Sequence, residues 1–344
     1  MLLGECWWIC TGDVMNWDSI AGQTDVLKTL KNLLTTQRVP HAMLFTGPNG
    51  VGKMLTARLF AAALLCEGTG IDGAPCGQCP ACQKVFQDAH PDLVILASDK
   101  SSIKIDQIRA LKHEASLVPY HGGLRVFILE AVDGLTTQAA NSLLKILEEP
   151  PENVIFIMIA VSKHSLLPTV LSRCRVFAFH PLAFRPLTEL LVKQGVRPEL
   201  AAVLARLSGG SIGNALELAA PEGLAKRNRA VELVAAAQDK DMSLIWKTAA
   251  SLDKLEPGEL NSVFNYIGVI FRDIIMIKIG QHDLVFNLDL VDKLEDAAKI
   301  WTEVSLRQAL NSVKEAGRAL EANANYRLTF EALMIKLFDA VGEG

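Results

Sequence analysis

Two sets of residues in this 344-residue sequence have the types and spacing to do chemistry. The first is Cys66, Cys76, Cys79 and Cys82, spaced C-x9-C-x2-C-x2-C among Gly and Pro that allow tight turns. Thiolates are soft ligands suited to tetrahedral zinc, and two-residue gaps let neighbouring cysteines bite one ion. Four ligands leave no open position, so one structural Zn2+ per chain is expected, clipping the insertion at residues 66–82. An iron–sulfur cluster or a redox switch is the alternative; catalytic zinc is disfavoured because no His interrupts the set. Cys6 and Cys10 fit no redox motif and need no role.

The second set is Gly47-Pro48-Asn49-Gly50-Val51-Gly52-Lys53. It reads as a phosphate-binding loop, in which backbone N–H groups surround phosphates and the Lys reaches the terminal ones. Such a loop continues with a hydroxyl for magnesium, and here Met54 offers a thioether that does not suit a hard, oxygen-seeking ion. Thr56 is no substitute, because it stands about 200° further round a helix than position 54. A working site also needs two acids at the end of a neighbouring strand, one for the metal and one to orient water. The stretch "RVFILEAVDGL" gives Glu130 and Ala131. Glu130 can still reach a cation, but losing the general base alone costs about 10²–10⁴ in rate. Hydrolysis by this chain's own site is therefore not expected. A loop kept for its strand-to-helix packing is the leading reading, ahead of bare ATP or ADP binding.

The elements that must position these residues follow from apolar periodicity. A helix is expected over 23–37, then a buried strand "AMLF", the glycine-rich turn, and a helix from Lys53. Further strands are expected at Leu93–Leu96, Arg125–Glu130, Val154–Ala160 and Arg175–Phe179, with helices over 106–117 and 137–149, the latter stopped by Pro150-Pro151. Short apolar strands alternating with helices predict an α/β domain with a doubly wound parallel sheet over 15–181. Three short helices separated by Gly and Pro follow over 182–222, then longer amphipathic helices over 223–344. Residues 1–14 are expected to be an upstream-start artefact or a disordered arm.

Composition narrows the classes. Half the residues are hydrophobic, enough for real cores, and the formal net charge is −4. No global field draws the chain to nucleic acid or an anionic surface. The apolar run Val154–Val161 is far shorter than the roughly 20 residues of a spanning helix, and "VFNYIGVIFRDIIMIKIG" is broken by Arg272, Asp273 and Lys278. No membrane contact is expected, and with a poor secretory signal at the N-terminus a cytoplasmic location is.

Several motifs in fixed order now carry a resemblance. The cysteine insertion after the loop's helix, "HPDL" at His90, "TTQAANSLLKILEEPP" after the degenerate acidic strand, and "LSRC" at Leu171–Cys174 together resemble bacterial clamp-loader subunits of the AAA+ class. The match runs from about Met15 to Ala220. It implies a RecA-like AAA+ sheet with a zinc-binding insertion, a small helical lid and a C-terminal all-α collar that assembles a hetero-oligomeric ring. Motor subunits of that family keep Lys-Ser/Thr and Asp-Glu, so Lys53-Met54 and Glu130-Ala131 imply a non-hydrolysing member. The resemblance gives Arg173 the role of an arginine finger, projecting in trans into the ATP site of an adjacent motor subunit. It also places Gly213 near the position of the lid arginine that senses nucleotide in motor subunits. Lys104 and Lys145 fall where the family touches DNA phosphates, contacts that position without reading sequence. Implied partners are motor subunits, a clamp-opening subunit, the sliding clamp indirectly, and primer–template DNA. The alternatives are an active AAA+ motor of the same complex and a stand-alone zinc-dependent nucleic-acid-binding protein.

Overall fold

The structure, a computed structural model, describes residues 16–68, 73–97, 103–120, 123–239, 242–243 and 257–341. The expected N-terminal extension, residues 1–14, lies outside the described residues. By internal contacts the chain divides into two compact units, one of residues 1–187 and 209–214, the other of 188–208 and 215–344.

The first unit is built on a five-stranded sheet of order β2-β3-β4-β1-β5. Its strands are β1 (Ala42–Thr46), β2 (Leu93–Leu96), β3 (Arg125–Leu129), β4 (Val154–Ala160) and β5 (Arg175–Ala178), all paired in parallel. A parallel sheet needs crossover helices, which cover both faces and make the central strands read as continuous apolar runs. Side chains still alternate. Met43, Phe45, Val126, Ile128, Ile155 and Ile157 share one core with α1 (Thr24–Thr35), α2 (Lys53–Leu65) and α3 (Pro80–Phe86). Leu44, Phe127, Leu129, Phe156 and Met158 share the other with α4 (Ile105–Ala115), α5 (Thr137–Glu148) and α6 (Pro168–Leu171).

β3 ends one residue before the expected limit. Glu130 still donates its N–H to the Leu96 carbonyl at 2.9 Å, but Ala131 turns left-handed at φ 50, leading the chain out of the sheet. A non-glycine residue in that region is uncommon and marks a turn. α5 starts at a Thr136 cap whose hydroxyl accepts the Ala139 N–H at 3.2 Å, and it stops before the two prolines.

α7 (Phe184–Lys193) and α9 (Ile212–Ala219) each span the division between the two units. The second unit also holds α8 (Pro198–Leu207), α10 (Ala225–Gln238), α11 (Pro257–Lys278), α12 (Val291–Ile300), α13 (Glu303–Glu321) and α14 (Tyr326–Ala340). Among the described residues, α11 is the one helix long and apolar enough to cross a membrane by length and composition. It serves as the centre of this unit's core: Phe264, Ile267, Phe271 and Ile274 pack with Trp301 and Leu337, and Phe271 meets Trp301 edge-on at 4.8 Å. Its Asp273, fully buried, accepts N–H bonds from Phe286 and Asn287 and an ion pair from Arg272 at 2.8 Å, so the buried carboxylate is satisfied.

Candidate functional site

The phosphate-loop residues lie at the carboxyl end of β1, where open parallel sheets bind ligands. The turn needs glycine at Gly47, φ 148, because a Cβ there would stand 2.4 Å from the Phe179 carbonyl oxygen. Lys53 opens α2 and is buried. Its Nζ donates to the carbonyls of Gly47 at 2.5 Å and Pro48 at 2.6 Å, so the loop's own backbone takes up the ammonium. Burial pulls the Lys53 ammonium down to about 8, an effect partly offset by the charge of Asp133. Met54 packs its thioether against the sheet core, and Thr56 is fully buried with its hydroxyl donating to the Gly52 carbonyl at 2.8 Å. Neither side chain offers oxygen to an ion beside Lys53.

Gly209–Asn214 lies against this loop. Gly213 donates its N–H to the Gly50 carbonyl at 2.9 Å. A Cβ on Gly50 would stand 2.2 Å from Ser211 Oγ. Gly50 and Gly213 therefore meet backbone to backbone, and no arginine side chain fits at position 213 in this arrangement. Glu130 and Ala131 stand at the end of β3 beside β4, as the acid pair should, but the second acid is missing. A different carboxylate returns: the short turn Val132–Gly134 carries Asp133, whose Oδ1 accepts the Val161 N–H at 3.2 Å and whose charge acts on Lys53. Sequence reasoning passed over Asp133, whose only signal was an acid two places beyond the alanine.

The four cysteines come together. Their sulfurs all lie within 4.8 Å of one another, with Cys66–Cys79 at 3.9 Å and Cys76–Cys82 at 4.0 Å. A tetrahedral zinc site with Zn–S bonds of about 2.3 Å needs sulfurs about 3.8 Å apart, so the set fits one ion. The local sequence builds it. Cys79 caps α3 ahead of Pro80, and its Sγ accepts the Cys82 N–H at 3.4 Å, while Cys76 Sγ accepts the Cys79 N–H at 3.4 Å. The N–H groups of Gln78 and Cys79 hold the Cys76 thiol down to about 6, whereas burial pushes Cys82 up. Gly68 lets the loop pass, since a Cβ there would sit 3.0 Å from Cys76 Sγ. Closed on four sulfurs, the cluster can hold a metal but offers no position for a substrate.

Arg173 follows α6 on the strand edge of the first unit. Its Nη1 donates to the Thr169 carbonyl at 2.8 Å and to Ser172 Oγ at 3.2 Å, and its Nη2 donates to Glu148 Oε1 at 2.7 Å. Glu148 is the last residue of α5, where an acid is disfavoured by the helix dipole. That misplacement was the signal in "LEEPP" for a cationic partner, and sequence reasoning did not use it. Cys174 beside it is inert: burial pushes its thiol up to about 12. Lys104 caps α4 and Lys145 lies on α5; both are exposed, and the two helices share one core against the sheet.

Residues 22–183 match the family described as "DNA polymerase III, delta subunit". The chain is 30% identical over 321 residues to DNA polymerase III subunit delta' of Bacillus subtilis (strain 168), covering 92% of this chain and 96% of that one. It is 37% identical over 205 residues to DNA polymerase III subunit tau of Escherichia coli (strain K12), 58% of this chain and 32% of tau. Among solved structures it is similar to a DNA polymerase III gamma-subunit-related protein from Thermotoga maritima, at 17% identity and a TM-score of 0.46, covering 91% of this chain and 99% of that one.

Proposed function

Because the chain belongs to the family of DNA polymerase III delta' subunits, a clamp-loader-type family with an AAA+ sheet, we propose that it is the non-hydrolysing subunit of a replicative clamp loader. In this reading it scaffolds the ring and supplies Arg173 in trans to the ATP site of a neighbouring motor subunit. The observation that carries the reading is the state of the loop and of the end of β3. Met54, packed against the sheet core, stands where the magnesium hydroxyl belongs, and Ala131, turning left-handed out of β3, stands where the second acid belongs.

Arg173 supports the other half. It is a partly exposed guanidinium on the rim of the sheet domain, and a fixed arginine of this kind is worth about 10³–10⁵ in the rate of phosphoryl transfer. Zinc is the ion proposed for Cys66, Cys76, Cys79 and Cys82, because four thiolates at this spacing suit it. Residues 182–222 act as a lid and 223–344 as a collar that joins motor and clamp-opening subunits, with the sliding clamp reached through them. Lys104 and Lys145 touch primer–template phosphates, and the assembly works in the cytoplasm.

ATP turnover by the purified chain tests the reading. No turnover above background is expected with or without primed DNA; DNA-stimulated turnover of about 1 s⁻¹, within the ordinary range of enzymes, would make the chain a motor instead.

A further inference from the structure

We propose that Glu148 is a positioning residue for Arg173: it fixes the guanidinium in the pose from which it serves the neighbouring γ-phosphate. The inference rests on the arginine-finger reading above and extends it to a residue on a different element.

The geometry begins with the five N–H groups of a guanidinium. Three donations are made inside the chain, two from Nη1, to the Thr169 carbonyl and Ser172 Oγ, and one from Nη2, to Glu148. Two N–H groups are left for an incoming phosphate. Thr169 and Ser172 belong to the same short helical turn as Arg173, so they move with it. Glu148 does not. It ends α5, whose Leu143, Ile146 and Leu147 are locked into the core against the sheet. α6 is itself held in that core through Val170, so the Glu148 contact at 2.7 Å gives the guanidinium a second reference to the frame of the domain, from a separate helix.

The placement of the acid supports a role beyond stability. A carboxylate at a helix C-terminus opposes the helix dipole, whereas a lysine there would favour it. The Arg173–Glu148 pair is partly exposed, at 33% and 50%, and pairs of that kind contribute little to folding. An arginine that must act on a phosphate gains from being held before the reaction, because a misplacement of about 1 Å can cost 10²-fold in rate. The carboxylate also draws off part of the positive charge, so a neutral acceptor of the same shape should position the finger equally well.

The test uses the reconstituted complex of motor, clamp-opening and delta' subunits with ATP, primed DNA and clamp. Glu148→Ala should lower kcat for ATP about tenfold at unchanged KM and unchanged assembly. Glu148→Gln should restore most of it. Glu148→Lys should leave or raise the melting temperature of the chain yet lower kcat at least as far as Glu148→Ala, a split that a purely structural acid would not produce. Combined with Arg173→Ala, Glu148→Ala should add no further loss. Wild-type turnover in Glu148→Ala and Glu148→Lys, with Arg173→Ala impaired, would overturn the role of Glu148 and leave the finger standing. Losses that multiply in the double variant would also overturn it, because Glu148 would then act elsewhere. If Arg173→Ala itself turns over ATP like the wild type, the finger reading falls and this inference with it.

Discussion

Gly213 and Gly50 touch backbone to backbone: the Gly213 N–H bonds the Gly50 carbonyl at 2.9 Å, and a Cβ on Gly213 would stand 2.9 Å from Gly50 Cα. Two segments more than 160 positions apart are joined at two glycines, the phosphate loop on one side and the start of α9 on the other. The contact leaves position 213 no room for a side chain.

Gly213→Ala should therefore destabilise the chain by about 1–3 kcal/mol, the usual penalty for forcing extra volume into a packed contact. Thermal or denaturant unfolding checks this. An alanine tolerated without loss of stability would mean that Gly209–Asn214 does not rest on the loop in solution.

Lys53 makes a pH prediction. Its ammonium falls from the ordinary 10.5 to about 8 in the folded chain, chiefly through burial. Below pH 8 the ammonium is charged in both states and its burial works against the fold. Between about pH 8 and 10.5 the unfolded chain binds more protons, so stability should rise with pH across that window. Lys53→Met removes the titrating group. The stability of the wild type relative to Lys53→Met should increase from pH 8 to 10, measured by urea unfolding, and a flat or falling difference would show that Lys53 titrates normally.

The cysteine cluster predicts about one zinc ion per chain by metal analysis, held by four thiolates. Cys76→Ser should lose the ion and open residues 66–82 to proteolysis while leaving the sheet's unfolding transition close to that of the wild type. α3 stays docked through Ala81 and Val85, which are buried independently of the metal, so the loosening should stay local to the loop.

Much of this was legible in the sequence because the signals were short-range. The strands of a parallel sheet buried on both faces appear as apolar runs, and β2 and β4 have the limits read from Leu93–Leu96 and Val154–Ala160. The cysteines are close in the chain, so their spacing alone predicted that Cys66, Cys76, Cys79 and Cys82 converge. What escaped was long-range or conformational. No pattern announces that Ala131 adopts φ 50 and swings Asp133 back toward Lys53, or that Lys53 bonds its own loop. Glu148 and Arg173 are 25 residues apart and meet only because α5 and α6 pack on the same face of the sheet.

ATP turnover by the complete clamp-loader assembly, carrying either wild-type or Arg173→Ala chain, is the most direct test of the account. Arg173 is a single, partly exposed side chain, so the complex should assemble normally without it while clamp- and DNA-dependent turnover falls by at least about tenfold. Equal turnover from the two assemblies would contradict the claim that this chain acts on its neighbour's nucleotide.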